Sequence, residues 1–320
     1  MLKQLLGWMS PAGKKARLSV LIFHRVLPAP DPLFPDEIDA HRFDEICAWL
    51  SGWFKILPLD QAVACLKAGT LPARAACITF DDGYADNYHV AMPILLRHGL
   101  TATFFIATGF LDGGRMWNDT VIESIRLTPQ NVLDLESLLG PGFASLRVGT
   151  IAEKSFAIQS IINRLKYLPM AERAALAGQV ATAAKVQPPT DLMMASSEVR
   201  GLRHAGMQIG AHTVSHPILA TLDGDSARDE ILQSKKTLET LLGERVGLFA
   251  YPNGKPATDY NSETVDIVRS LGFDAAVSTH WAASSNNTDI FQIPRFTPWD
   301  HTRFRFGARL LGNLCTRQTA

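Results

Sequence analysis

Short apolar runs, each ending in a polar or glycine-containing turn, alternate along this chain with stretches of helical spacing. That alternation sets the strongest limit on its fold. The runs cover residues 18–23, 75–80, 102–107, 207–211, 246–250 and 275–278. Each has the length of a strand, and most are rich in Val, Ile, Phe or Thr. Helical spacing marks 44–53, 61–68, 87–98, 226–242 and 262–271. The stretch from Ser226 has Ser/Asp chemistry at its start and Leu242-Gly243 at its end, as a cap and a stop require. Strand–helix alternation of this kind predicts an α/β fold with parallel strands. A length of 320 residues suits one large barrel domain or two average ones.

One stretch departs from the pattern. From about 110 to 197 no strand stands out, and helical patterns at 152–168 and 171–184 dominate. The stretch is too long for a simple loop and reads as a helical insertion between two barrel strands. It either walls the site as a lid or packs without a direct role. The main domain is expected at 18–300, flanked by a segment at 1–17 and a tail at 301–320. Pro28, Pro30, Pro32 and Pro35 mark a loop after the first strand.

Lys plus Arg (31) equals Asp plus Glu (31), so no global basic field argues for nucleic acid, and none is expected as a partner. Cys47, Cys65, Cys77 and Cys315 form no CxxC pair and read as free thiols. Residues 1–9 are apolar but short, with Lys14, Lys15 and Arg17 after them instead of before, unlike a secretory signal. No run approaches the ~18 apolar residues that span a bilayer. A cytoplasmic location is therefore expected, with residues 1–9 as a short amphipathic helix able to rest on a membrane surface.

The chemistry concentrates at strand ends. Ile78-Thr79-Phe80-Asp81-Asp82-Gly83 runs an apolar strand into two carboxylates and a glycine. Consecutive strand side chains point to opposite faces, so a sharp turn is needed before both acids serve one site. Two acids in one pocket repel unless a cation or a proton is shared. Surface turn formation is the alternative. His212-Thr213-Val214-Ser215-His216-Pro217 places two histidines four apart, with Pro217 disfavouring a helix at His216. An Asp and two His make a three-ligand divalent site with open positions, while the neighbouring acid stays free to take a proton from water. Zinc is the expected metal, and cobalt, nickel or iron(II) also fit these ligand types. His24, at the end of the first strand, is a candidate proton donor to a departing amine or else a loop residue. In Tyr251-Pro252-Asn253-Gly254 the Tyr251 backbone N–H is a candidate oxyanion donor, or the segment is only a turn.

These residues resemble the polysaccharide deacetylases of carbohydrate esterase family 4. Thr79-Phe80-Asp81-Asp82-Gly83 is similar to the family's first motif, which implies Asp81 as catalytic base and Asp82 as metal ligand. His212 to His216 is similar to the second, whose histidines complete the metal site. The resemblance implies a distorted (β/α) barrel and covers roughly residues 18–298, most of the insertion excepted. Two features depart from the usual pattern: Ala250 stands where an arginine is expected, and no late Leu-x-His motif is present. Phe23-His24-Arg25-Val26 and Ile293-Pro294-Arg295 instead resemble the branch acting on poly-N-acetylglucosamine exopolysaccharides. That likeness implies His24 as the acid and Arg295 in place of the missing arginine that orients Asp81. His280 is the rival for the acid.

The resulting expectation is a metal-dependent hydrolase that removes N-acetyl groups from an amino-sugar-containing saccharide, in exopolysaccharide or cell-surface polysaccharide biosynthesis. An amidohydrolase of similar fold acting on a small non-sugar amide is one alternative. A non-catalytic carbohydrate-binding or assembly protein is the other.

Overall fold

The structure is a computed structural model and describes residues 2–316. The strands, in chain order, are β1 (Ser19–Phe23), β2 (Lys55–Ile56), β3 (Ala75–Phe80), β4 (Thr103–Ile106), β5 (Val132–Leu133), β6 (Leu146–Arg147), β7 (Gln208–Ala211), β8 (Leu248–Ala250) and β9 (Ala275–Val277). The described residues divide into two compact units, one of 2–29, 38–111 and 194–316, the other of 30–37 and 112–193.

The first unit carries a parallel sheet in the order β1-β3-β4-β7-β8-β9, with β2 paired to the start of β3. Helices follow the strands, so the expected α/β alternation holds. The sheet curls far enough for its two edges to be bridged. Ile293 pairs with Val277 on β9, and Phe296 pairs with Leu21 on β1. Backbone hydrogen bonds from Ser278 N–H to Ile293 O (2.8 Å) and from Phe296 N–H to Val20 O (2.7 Å) complete the link. The connecting segment is Ile293-Pro294-Arg295-Phe296.

Strand periodicity of two then decides which side chain faces which layer. On β3, Ala76, Ile78 and Phe80 pack in one cluster with Phe43 and Leu50 of the helix Ala40–Trp53. Cys77 packs in another with Val20, Phe105, Ala250, Val277 and Ile293. Continuing the alternation puts Asp81 on the same side as Cys77 and Thr79. Phe80 is fixed by rings on both neighbouring strands, with centroids 5.3 Å from Phe23 and 4.7 Å from Phe104. Aromatic contacts of this kind add about 0.5–1.5 kcal/mol each beyond area burial. They hold the ends of β1, β3 and β4 level beneath the two acids.

The flanking segments contribute to this core as well. Residues 2–9 form the expected helix, but Leu6 is fully buried and Leu2 and Met9 pack against the core. Part of the helix's apolar surface therefore faces protein, while Leu5 and Trp8 are exposed. In the tail, the helix Arg303–Cys315 buries Phe306, Leu310 and Leu314 in the same core. The tail positions 317–320 lie outside the described residues. The four cysteines are free thiols, as expected, with Cys77 in the core.

The second unit has its own core of Val121, Ile125, Ile158, Ile161 and Val180, among others. Its helices Ile151–Leu165 and Met170–Ala183 match the predicted helical patterns, and Thr150 and Glu153 close the first with a capping box. Two features differ from the sequence reading. The unit takes in part of the proline-rich stretch, residues 30–37. It also contains an antiparallel pair, β5 with β6, where no strand was expected. Two-residue strands are too short to leave a periodicity.

Candidate active site

Parallel strands end on one rim, so the residue after each strand faces its counterparts from the others. His24 follows β1, Asp81 follows β3, His212 follows β7 and Tyr251 follows β8. The chain reverses at Asp82 itself, whose φ is +76°, and continues through Gly83 at +91°. That reversal brings both acids to one site. Thr213 (+64°) and His216 (+54°) are also left-handed, and such a conformation costs roughly 1–2 kcal/mol for a residue bearing a Cβ.

Asp82, His212 and His216 each turn a ligand-type atom to one centre, all within 4.8 Å of one another. The Asp82 carboxylate oxygen lies 3.4 Å from both His212 Nε2 and His216 Nε2. That spacing is long for a hydrogen bond. It matches the roughly 3.3–3.6 Å separation of ligands arranged tetrahedrally at 2.0–2.2 Å from zinc. His212 Nδ1 lies 2.8 Å from the carbonyl of Ala250, which fixes the ring and leaves Nε2 with its lone pair. These residues fit a divalent cation.

Asp81 does a different job. Its two oxygens accept from Arg295 Nη1 and Nη2, both at 2.7 Å. Arg295 also donates through Nε to Ser278 O at 2.8 Å and through Nη1 to Thr79 Oγ1 at 3.3 Å. The pair is almost entirely removed from solvent, the Arg295 side chain at 0% and that of Asp81 at 3% exposure. The bridging segment that closes the sheet thus delivers the guanidinium to the acid.

The electrostatics agree with a site built around positive charge. Burial works against ionising Asp81, but Arg295 and nearby histidines hold its carboxyl below the usual range. Burial opposes ionisation of Asp82 too, and the neighbouring histidines, His212 first, outweigh that penalty and hold its carboxyl below the usual range. His212 is raised despite its burial because Asp81 and Asp82 lie beside it. His216 is pushed down to about 4 by burial, which keeps it neutral, as a ligand must be.

His24 is exposed at the end of β1. Its carbonyl accepts from Asn87 Nδ2 at 2.9 Å, and Asp86 accepts from Val26 N–H (3.1 Å) and Arg25 Nε (2.8 Å). His280 lines a separate cavity with Lys14, Lys15 and Arg17.

Tyr251 requires a correction. Its backbone N–H donates to Val277 O at 3.2 Å within the sheet, so it is engaged and does not serve as an oxyanion donor. Its ring is stacked on Tyr260 with centroids 3.9 Å apart, and its hydroxyl donates to Phe291 O. Tyr251 is a packing residue.

The sequence reading missed the supports. Glu230, on the helix Gly224–Leu242, accepts from the N–H groups of Val214 and Ser215 (2.9 Å each) and from Ser215 Oγ (2.6 Å). It secures the strained loop between the two histidines. Asp86 and Asn87 secure the turn at His24. Each lies among polar residues in sequence and carries no local signal.

An acid held beside a cation site can set water against an amide carbonyl, and this class of hydrolase acts on N-acetyl amide bonds. The chain belongs to the polysaccharide deacetylase family, whose model matches residues 68–132 and 155–276. YxkH of Bacillus subtilis (strain 168) is 20% identical over 285 residues, covering 88% of this chain and 71% of that one. Among solved structures, the Streptococcus pyogenes deacetylase PplD in complex with acetate is similar with a TM-score of 0.62 at 18% identity, covering 93% of this chain and 98% of that one. IcaB from Ammonifex degensii gives 0.59 at 18% identity, covering 96% and 99%. The BpsB deacetylase domain from Bordetella bronchiseptica gives 0.55 at 17%, covering 88% and 95%. The curled parallel sheet with its surrounding helices is the fold these structures share.

Proposed function

We propose that this chain is a metal-dependent deacetylase that removes N-acetyl groups from an amino-sugar-containing saccharide, in exopolysaccharide or cell-surface polysaccharide biosynthesis. The observation that carries the reading is the pairing of two arrangements on one rim. Asp82, His212 and His216 have the spacing of a cation site, and Asp81 beside them is gripped by Arg295. Likeness to IcaB and the BpsB deacetylase domain supports the exopolysaccharide setting.

Asp82, His212 and His216 hold the metal, with zinc the first choice and cobalt, nickel or iron(II) acceptable to the same donors. A divalent cation there supplies positive charge that polarises the acetamide carbonyl and makes nearby water more acidic. Asp81, kept ionised by Arg295, takes the proton from the attacking water. Arg295 positions Asp81 and does not touch the substrate. His24 gives a proton to the departing amine, and acetate and a free amino sugar leave. His24 is preferred over His280 because it follows β1 on the rim that carries Asp81 and His212, whereas His280 lines a separate cavity.

The test is mass spectrometry of chitooligosaccharides incubated with zinc-loaded protein. Loss of acetyl groups, abolished by Asp81→Asn, is the expected result. Release of product from a small cyclic or linear ureide, with none from any saccharide, refutes the reading.

A further inference from the structure

Outside the proposed centre, the structure holds a cavity of about 1010 Å³ bordered by Lys14, Lys15 and Arg17. Its volume lies at the upper end of ligand-binding pockets. Among the described residues none of these three cations has a carboxylate partner. Asp289 is the only acid among the described residues on the wall, and it is already satisfied. It accepts from Arg269 Nη2 at 2.9 Å, Gln292 Nε2 at 3.1 Å and Phe291 N–H at 3.0 Å. Three unneutralised positive charges facing one space repel each other, and an anion placed among them relieves that repulsion.

A second observation points the same way. His280 lines the cavity, and its Nε2 is buried without a hydrogen-bond partner. An orphaned buried nitrogen is costly, and a turn of the ring towards the cavity would let a ligand oxygen satisfy it. The lining also includes Ser285, Asn286, Asn287 and Thr288, whose hydroxyls and amides suit sugar oxygens. One backbone contact links the cavity to the centre. The His280 carbonyl accepts from Arg295 N–H at 2.8 Å, and the Arg295 side chain grips Asp81.

We propose that this cavity receives a phosphate group carried by the N-acetylated saccharide, an inference that rests on the deacetylase reading above. Phosphate fits better than carboxylate because a phosphate monoester carries about −1.5 to −2 charge, closer to the three cations than a single negative charge. Lysines serve it as point charges and the arginine fork as a bidentate donor.

The experiment compares binding of N-acetylglucosamine 1-phosphate, N-acetylglucosamine and N-acetylmuramic acid to the full zinc-loaded chain by calorimetry. The phosphorylated sugar should bind roughly tenfold more tightly than the neutral one, and added salt should erode that advantage. Lys14→Gln/Arg17→Gln should abolish the preference while zinc binding and acetate release from a neutral chitooligosaccharide stay at wild-type level. Equal affinity for the phosphorylated and neutral sugars overturns the proposal. So does a preference that survives in the double variant, because the phosphate is then held at the metal. Equal binding of N-acetylmuramic acid overturns the choice of phosphate. Absence of acetate release by the wild-type chain counts against the deacetylase reading, while the binding comparison still decides the cavity.

Discussion

Replacing Arg295 by Met removes one partner of a buried ion pair and keeps most of the side-chain volume. Four hydrogen bonds disappear: two to Asp81 at 2.7 Å, one to Ser278 O at 2.8 Å and one to Thr79 Oγ1 at 3.3 Å. Asp81, 3% exposed, is left without its counter-ion. Breaking a buried pair in this way costs about 3–5 kcal/mol. At roughly 2–4 °C per kcal/mol, Tm should fall by something on the order of 10 °C. The loss should depend on pH. Asp81 has a folded pKa below its unfolded one, so its contribution is present above the unfolded value and fades as pH falls through the folded value. The stability gap between wild type and Arg295→Met is therefore widest near neutrality and closes in acid. Catalysis should drop by roughly 100-fold or more because the base is no longer oriented. The acid limb of the kcat/KM profile should move to higher pH, since the charge that keeps Asp81 ionised is gone. Thermal melts of Arg295→Met, Asp81→Asn and the double variant, with pH–rate profiles of wild type and Arg295→Met, make the check. The double variant should be destabilised by less than the sum of the singles. Strict additivity, with an unmoved acid limb, would refute the argument.

Four further outcomes are expected. Asp81→Asn should abolish turnover and leave zinc affinity, measured by chelator competition, nearly unchanged. His24→Ala should slow acetate release about 100-fold on a neutral substrate, whereas His280→Gln should not; the reverse pattern exchanges their roles. Glu230→Ala should weaken zinc binding roughly 10–100-fold, because the loop of His212 to His216 loses three hydrogen bonds. Chelation should abolish activity and lower Tm, with both restored by zinc. At a zinc concentration about 1,000 times Kd, the stabilisation lost is about 4 kcal/mol.

The strands that carry the site were legible because a buried parallel strand must be a short apolar run. β3 falls on the predicted residues 75–80, and Asp81 and Asp82 stand where the apolar run stops. His212 and His216 were legible for the same reason at the end of β7. Arg295 was reached only through resemblance. Its segment joins β9 and β1 by isolated bridges at Ile293 and Phe296, and so short a link leaves no alternating pattern to read. Glu230 was invisible because it follows Arg228 and Asp229 on a helix and looks like part of a solvated face. Tyr251 was misread because Pro252-Asn253-Gly254 suggests that the sheet has already ended there. β9 in fact accepts one hydrogen bond more, through Val277 O.

The distance along the chain between Asp81 and Arg295 is 214 residues. During synthesis at 5–20 residues per second, the carboxylate leaves the ribosome roughly 10–40 seconds before the guanidinium exists. Throughout that interval the β3 end has a charge it cannot bury, and the sheet has two free edges. The same later segment supplies both missing parts, so ring closure and the pairing of Asp81 fall together in one event. Until Arg295 has emerged, the Asp81 carboxylate has no guanidinium to pair with.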